Sequence, residues 1–225
     1  MNEIIEILQR KSLVWHAKEK KQINDVTPSG YSELDHKLQG GFPNIGVIEV
    51  SAEIGIGELR LLLPNIRQQA QNRITVFIHP PGFVNAEHMH NQGFDLENIL
   101  IISPNSFKEA LWASEQCLKS GACCAVLLWC QSLEVHQVRR FQVAAEKGNC
   151  LQLLLKGTQA NVLSIPVSLS MQLSAHPNGI EVSIPKRRGG WPLSEFIVDM
   201  SFNWPALTLD KPSNNILLFP TKKAV

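Results

Sequence analysis

The sequence predicts a three-layer α/β domain: a mostly parallel central sheet with helices on both faces, a C-terminal antiparallel hairpin and an N-terminal helical arm. Three observations carry this. Short, continuously apolar runs recur between helical stretches, the pattern of strands covered on both faces. Beyond residue 166 the pattern changes to two strand-like runs, Val167 to Ala175 and Ile180 to Pro185, with Asn178-Gly179 expected in the turn between them. Finally, 225 residues with 44% hydrophobic and 18% charged content suit one globular domain with arms.

Taken in order, residues 2 to 15 read as an amphipathic helix with Ile4, Leu8 and Trp15 near one face. This arm either packs on its own domain or docks onto a neighbouring protein. Lys18 to Gln22 is a polar linker. Tyr31 to Leu38 is a brief helix stopped by Gly40-Gly41. Strands follow at Val47 to Ser51, Thr75 to His79, Ile99 to Ser103, Ala125 to Trp129 and Leu151 to Lys156. Between them lie helices at Gly57 to Gln71 (with Pro64 inside), Val84 to Asn91, Ser106 to Leu118 and Leu133 to Lys147. Phe196 to Met200 reads as one more strand, and the Pro-rich chain after Asn203 as a tail. The organisation is therefore an arm and linker (1–26), a core (27–202) and a tail (203–225).

Composition narrows the function classes. A formal net charge of +1 gives no global field, so any basic surface must be local. No run approaches 18 apolar residues, so no membrane span is expected, and the first apolar stretch is too short and too acidic for a signal peptide. The five cysteines lack metal-ligand spacing and read as reduced thiols of a cytoplasmic protein. His88 and His90 are two apart on a helix and point in different directions, so no metal site is expected.

The most informative stretch is Gly46 to Leu63, GVIEVSAEIGIGELRLLL. It has the strand–loop–helix layout of a phosphate-binding loop, in which backbone amides hold phosphate, a Lys neutralises it and a hydroxyl takes Mg²⁺. Here the frame reads Ala52, four residues, Gly57, Glu58, Leu59. Glu58 in place of the Lys exchanges attraction for repulsion, each on the order of 4 kcal/mol at ~4 Å in an effective dielectric near 20. Leu59 has no oxygen for a metal.

Around that frame, SGYSELDHKLQGGFPNIGVIEV resembles the entry of RecA into its phosphate-loop strand. TVFIHPP, NQGFDLENILIISPNS and SGACCAVLLW are similar to the RecA strands that follow. Leu13 to Trp15, LDHKLQGGFP and IEVSIPKRRGG narrow the resemblance to the ImuA family, the RecA-related accessory proteins of bacterial translesion synthesis. Residues 58 to 158 also resemble the SulA family of SOS cell-division inhibitors, which act on FtsZ. The resemblance implies a RecA-like fold in which the catalytic Glu position falls on Pro81 and the Walker B carboxylate on Trp129. Neither supplies a base or a metal ligand. No enzyme and no cofactor are expected.

As partners the resemblance implies RecA, an ImuB-type inactive Y-family polymerase and, through it, an error-prone C-family polymerase. The place of action would be the cytoplasm and the nucleoid at damaged DNA. Self-association is a further option. The candidate contacts to DNA or to an acidic partner are Lys186, Arg187, Arg188 and Trp191, with Arg139 and Arg140 as a second basic cluster. In the tail, Leu217, Leu218 and Phe219 form an apolar patch resembling sliding-clamp peptides. It docks on the clamp, on another partner, or on its own domain.

Overall fold

The computed structural model describes residues 26–158 and 165–205. The arm residues Ile4, Leu8 and Trp15 and the tail residues Leu217, Leu218 and Phe219 lie outside the described residues. A two-residue ribbon, β1 (Val26–Thr27), pairs antiparallel with β2 (Phe42–Pro43) around α1 (Ser32–Leu38). Gln39 ends α1 in the left-handed region at φ 64°, and Gly40-Gly41 carries the chain back to β2. A Cβ on Gly41 would lie 2.1 Å from the Thr27 carbonyl, so only glycine lets the ribbon close.

The main sheet contains β3 (Gly46–Ser51), β4 (Ile74–Ile78), β5 (Ile99–Ile102), β6 (Cys123–Trp129), β7 (Leu151–Lys156), β8 (Leu169–His176), β9 (Gly179–Arg187) and β10 (Leu193–Asp199). Its order is β10-β9-β8-β3-β7-β6-β4-β5. The pairs from β5 through to β8 are parallel, and β9 and β10 add antiparallel. The connecting helices are α2 (Glu58–Ala70), α3 (Ala86–Asn91), α4 (Phe107–Lys119) and α5 (Val135–Gly148). Leu34 of α1, Leu61, Leu62 and Ile66 of α2 and Met89 of α3 pack on one face of the sheet. Ala110 and Leu118 of α4 and Val138, Phe141 and Ala144 of α5 pack on the other. β6 is buried at every position, the signature of a strand covered twice. β9 instead alternates buried and open positions, because only one face of the hairpin is covered.

Two local expectations change. Leu193–Asp199 pairs with β9, so the last strand begins three residues before Phe196. In the β8–β9 hairpin His176 pairs with Gly179, which places Pro177-Asn178 in the turn and Gly179 in the strand. The reason is close approach: a Cβ on Gly179 would lie 2.3 Å from the Val198 carbonyl of β10.

Pro64 inside α2 has a use. Proline has no N–H, so the carbonyl four residues earlier is left without its helical donor. That carbonyl belongs to Arg60, and the Tyr31 hydroxyl donates to it at 2.9 Å. The Trp204 indole N–H donates in turn to Tyr31 Oη at 3.3 Å, and its ring lies 5.8 Å from His88 and 5.6 Å from the Arg60 guanidinium. Burial pushes the Tyr31 phenol up, against the lowering effect of the bond from Trp204. Val26 and Trp204 lie just outside the core bounds of 27–202 read from the sequence: Val26 pairs with Pro43, and Trp204 packs on the core.

Candidate functional site

β3 delivers the chain at Ala52 to a loop whose glycines adopt conformations side chains avoid, with φ 90° at Gly55 and 113° at Gly57. Ala52 is buried and its N–H donates to the Lys156 carbonyl at 2.9 Å. Gly57 is the N-cap of α2 and has no side chain with which to satisfy the first-turn amides. Glu58, the first residue of the helix, turns its side chain back on the loop and the N-cap instead. Its carboxylate accepts the Gly55 N–H at 3.2 Å and the Gly57 N–H at 3.1 Å. Glu58 is 7% exposed. The concavity that would cradle an anion thus holds the protein's own carboxylate, at the positive end of α2. The sequence placed Glu58 as a group that repels phosphate. Structurally it is the anion of its own loop.

The neighbouring positions are filled with apolar side chains. Leu59 and Trp129 pack on the same core cluster, and Trp129 stacks on Phe77 at 6.2 Å between ring centres. Pro81 is exposed in the loop after β4. Beneath the loop, Lys156 Nζ donates to Glu49 at 2.6 Å, and the Ser170 hydroxyl donates to the other Glu49 oxygen at 2.9 Å. This network, set on β3, β7 and β8, escaped the sequence reading. Its only signals were a Glu inside the apolar run GVIEVS and a Lys ending LQLLLK.

The basic candidates separate into three kinds. Arg140 is not a free helix-face cation: it bonds Glu115 of α4, which Lys119 also bonds. Burial raises the Glu115 carboxyl, but the bonds from Lys119 and Arg140 outweigh it and hold the group below its ordinary range. Arg139 is exposed with no ion pair among the described residues. In the stretch after β9's midpoint, Lys186 Nζ donates to the Ile165 carbonyl at 2.6 Å. Arg187 donates to the Trp191 carbonyl at 2.8 Å and to the Lys37 carbonyl at 2.9 Å. Lys186 and Arg187 are therefore tethers that shape the β9–β10 tip. Arg188 and Trp191 face water, Trp191 at 84% exposure.

Among the described residues no group of His, Cys, Asp and Glu has the geometry to hold a metal ion. The five cysteines are free thiols. Cys123 is lowered to about 6, by a hydrogen bond with Cys117 first and then by Ser120 and Arg73 against burial, while burial pushes Cys130 up to about 12. No described helix is long and apolar enough to cross a membrane. A cavity of about 240 Å³ lies beside Pro64, Arg67, Gln92 and Trp204, and one of about 260 Å³ beside Glu115, Arg139, Arg140 and Val143.

Several known proteins are similar to parts of this chain. Protein RecA of Francisella philomiragia is 30% identical over 99 residues, 43% of this chain and 28% of that protein. Protein RecA of Picosynechococcus is 25% identical over 138 residues, 61% of this chain and 38% of its own. Cell division inhibitor SulA of Photorhabdus laumondii is 31% identical over 98 residues, covering 43% of this chain and 55% of the inhibitor. The solved structure of SulA from Pseudomonas aeruginosa aligns at 25% identity and TM-score 0.43, covering 49% of this chain and 97% of that one. The chain thus spans well under two thirds of the curated relatives it matches. A mainly parallel sheet with helices and an added antiparallel hairpin fits a RecA-like fold. The RecA N-terminal domain family matches residues 1–154, more than half of the chain, and the chain belongs to that family.

Proposed function

We propose that this chain is a non-catalytic RecA-like adaptor of the SOS response, acting in error-prone translesion synthesis by protein–protein contact. The observation that carries the non-catalytic reading is the Glu58 carboxylate seated on the Gly55 and Gly57 amides, where a nucleotide phosphate would have to sit. A phosphate entering would meet a buried negative charge, with no Lys to offset it and no hydroxyl at Leu59 to hold Mg²⁺. Trp129 and Pro81 offer neither a carboxylate nor a base. Relatedness to RecA and SulA supports the SOS setting, and the ImuA resemblance supports RecA and an ImuB-type polymerase homologue as the partners, with the C-family polymerase reached through the latter.

The test is recovery of partners with the tagged full chain from cells with damaged DNA, with and without residues 206–225. That truncation spares Trp204, which packs on the core. RecA and an ImuB-type protein are expected with the full chain, and recovery of neither sinks the adaptor reading. Separately, ATP turnover by the purified chain that is lost on altering Gly57 would overturn the non-catalytic one. The match to Photorhabdus laumondii SulA favours one second reading, a cell-division inhibitor acting on FtsZ. Filamentation on overexpression together with loss of FtsZ polymerisation in vitro would select it.

A further inference from the structure

We propose that Cys117 and Cys123 form a peroxide-responsive dithiol that closes to a disulfide across the α4–β6 turn. The site goes beyond the adaptor reading and does not rest on it. The turn lies at the amino end of β6, whereas the Gly55–Gly57 loop follows the carboxyl end of β3.

The turn brings the two sulfurs together. Cys117 lies in the last turn of α4, Cys123 opens β6, and the Cys117 thiol is hydrogen-bonded to the Cys123 sulfur. Ser120 braces the chain between them. Its N–H and Oγ both donate to the Cys117 carbonyl, at 3.3 and 2.8 Å, and its Oγ accepts the Ala122 N–H at 3.1 Å. The same Oγ lies 3.7 Å from Cys123 Sγ. Arg73 holds the other side, donating to the carbonyls of Cys123, Gly148 and Asn149. The backbone at both cysteines is thus fixed before any bond forms, so closure costs little further chain entropy.

The two sulfurs differ in role. The bond from Cys117 first, then Ser120 and the Arg73 charge, hold Cys123 low against burial, so it is the thiolate of the pair at neutral pH. That bond and burial push Cys117 up, and the negative end of α4 acts in the same direction, so it keeps its proton. Burial also pushes up Cys124, Cys130 and Cys150, which stay thiols. Cys123 is 4% exposed, but Cys117 is half-buried and Ser120, Gly121 and Ala122 are exposed. The pair therefore lies just beneath the surface, open to a molecule barely larger than water, and the oxidant class is a hydroperoxide. The Cys123 thiolate attacks one peroxide oxygen: the S–O bond forms, the O–O bond breaks, and the departing hydroxide takes a proton to leave as water. Cys117 then attacks the oxidised sulfur, its proton leaving with the displaced hydroxide as a second water, and the S–S bond forms. Two electrons pass from the sulfurs to peroxide, and a dithiol reductant returns them.

The experiment treats the purified full chain, reduced and then freed of reductant, with a small excess of hydrogen peroxide at neutral pH, and follows thiols and mass. The expected result is loss of two of the five titratable thiols and of about 2 Da, the two hydrogens given up to one disulfide. Trypsin cuts after Lys119, between the two cysteines, so a non-reduced digest should contain Glu109–Lys119 joined to Ser120–Arg139. Fragmentation of that species should place the bond on Cys123 rather than on Cys124 or Cys130, and dithiothreitol should release it. Cys117→Ser should halt the reaction at a sulfenic acid on Cys123, captured by dimedone. Cys123→Ser should slow loss of the Cys117 thiol several-fold, and Cys150→Ser should leave the bond unchanged, with circular dichroism checking each variant's fold. Retention of all five thiols overturns the proposal, as does loss of all five at one rate. A bond between other cysteines or between two chains, or one that forms only in urea, overturns it equally. Partner recovery is unaffected by any of these results, so the adaptor reading and this one fail separately.

Discussion

At the carboxyl end of β3 the amides of Gly55 and Gly57 converge on the Glu58 carboxylate, whereas at the opposite end of the sheet Arg188 and Trp191 turn to solvent. Both places are glycine-bearing turns beside charged residues. In the first, the Gly55 and Gly57 amides already have a partner inside the protein, so those donors are not left to hold a ligand. In the second, Lys186 and Arg187 are consumed as tethers while their neighbours stay free. Charge alone therefore says little about binding, and what decides is whether hydrogen-bonding capacity has already been used.

The largest expected effect tests the satisfied end. Lys156 and Glu49 form an ion pair with side-chain exposures of 4% and 14%, completed by Ser170. Lys156→Met should cost about 3–5 kcal/mol in urea unfolding, because it leaves the Glu49 charge buried without its partner. The double variant Glu49→Gln, Lys156→Met should recover a large part of that. A single variant as stable as the parent would mean that water reaches Glu49.

Next comes the nest. Glu58→Ala removes the acceptor of two loop amides and should cost about 1–3 kcal/mol, with faster hydrogen exchange confined to residues 53–58. Equal stability and unchanged exchange would show that the carboxylate is a bystander.

The third effect is a pH dependence. Glu115 is held below its ordinary range in the folded protein, so it stabilises the fold above its unfolded value. That contribution is lost as pH falls through the lower, folded one. Glu115→Gln should therefore flatten the acid side of the stability curve, below about pH 4.5, and leave the alkaline side unchanged. A parallel downward shift at all pH values would assign Glu115 to packing alone.

The alternation of apolar runs and helices was legible because burial on two faces demands it, and β7 runs from Leu151 to Lys156 as read from the sequence. Side-chain destinations were less legible. Glu58 could be placed in the phosphate-loop frame, but its return onto Gly55 depends on left-handed glycines whose φ the sequence does not print. Arg140 read as part of a basic contact cluster, and its partner Glu115 sits 25 residues away on another helix. Trp204 looked like tail because its partners, Tyr31 and His88, lie far back in the chain. In the same way Lys37 joined the hairpin tip only through a contact 150 residues long. Local pattern specifies elements, and long-range contacts decide which charges remain free.

The smallest expected effect bears on the open end. Arg188 and Trp191 donate no side-chain hydrogen bond to the described protein, so Arg188→Ala and Trp191→Ala should each change stability by no more than about 0.5 kcal/mol. Arg187→Ala should differ, because it releases the Trp191 and Lys37 carbonyls together and frees the turn from α1. Its cost is about 1 kcal/mol by thermal or urea unfolding, a charge-assisted bond being weakened by solvent at an exposed site to about the net worth of an ordinary one. If Trp191→Ala destabilised as much as Arg187→Ala, the indole would be part of the packing. The contrast between a closed nest and an open tip would then collapse to one of degree.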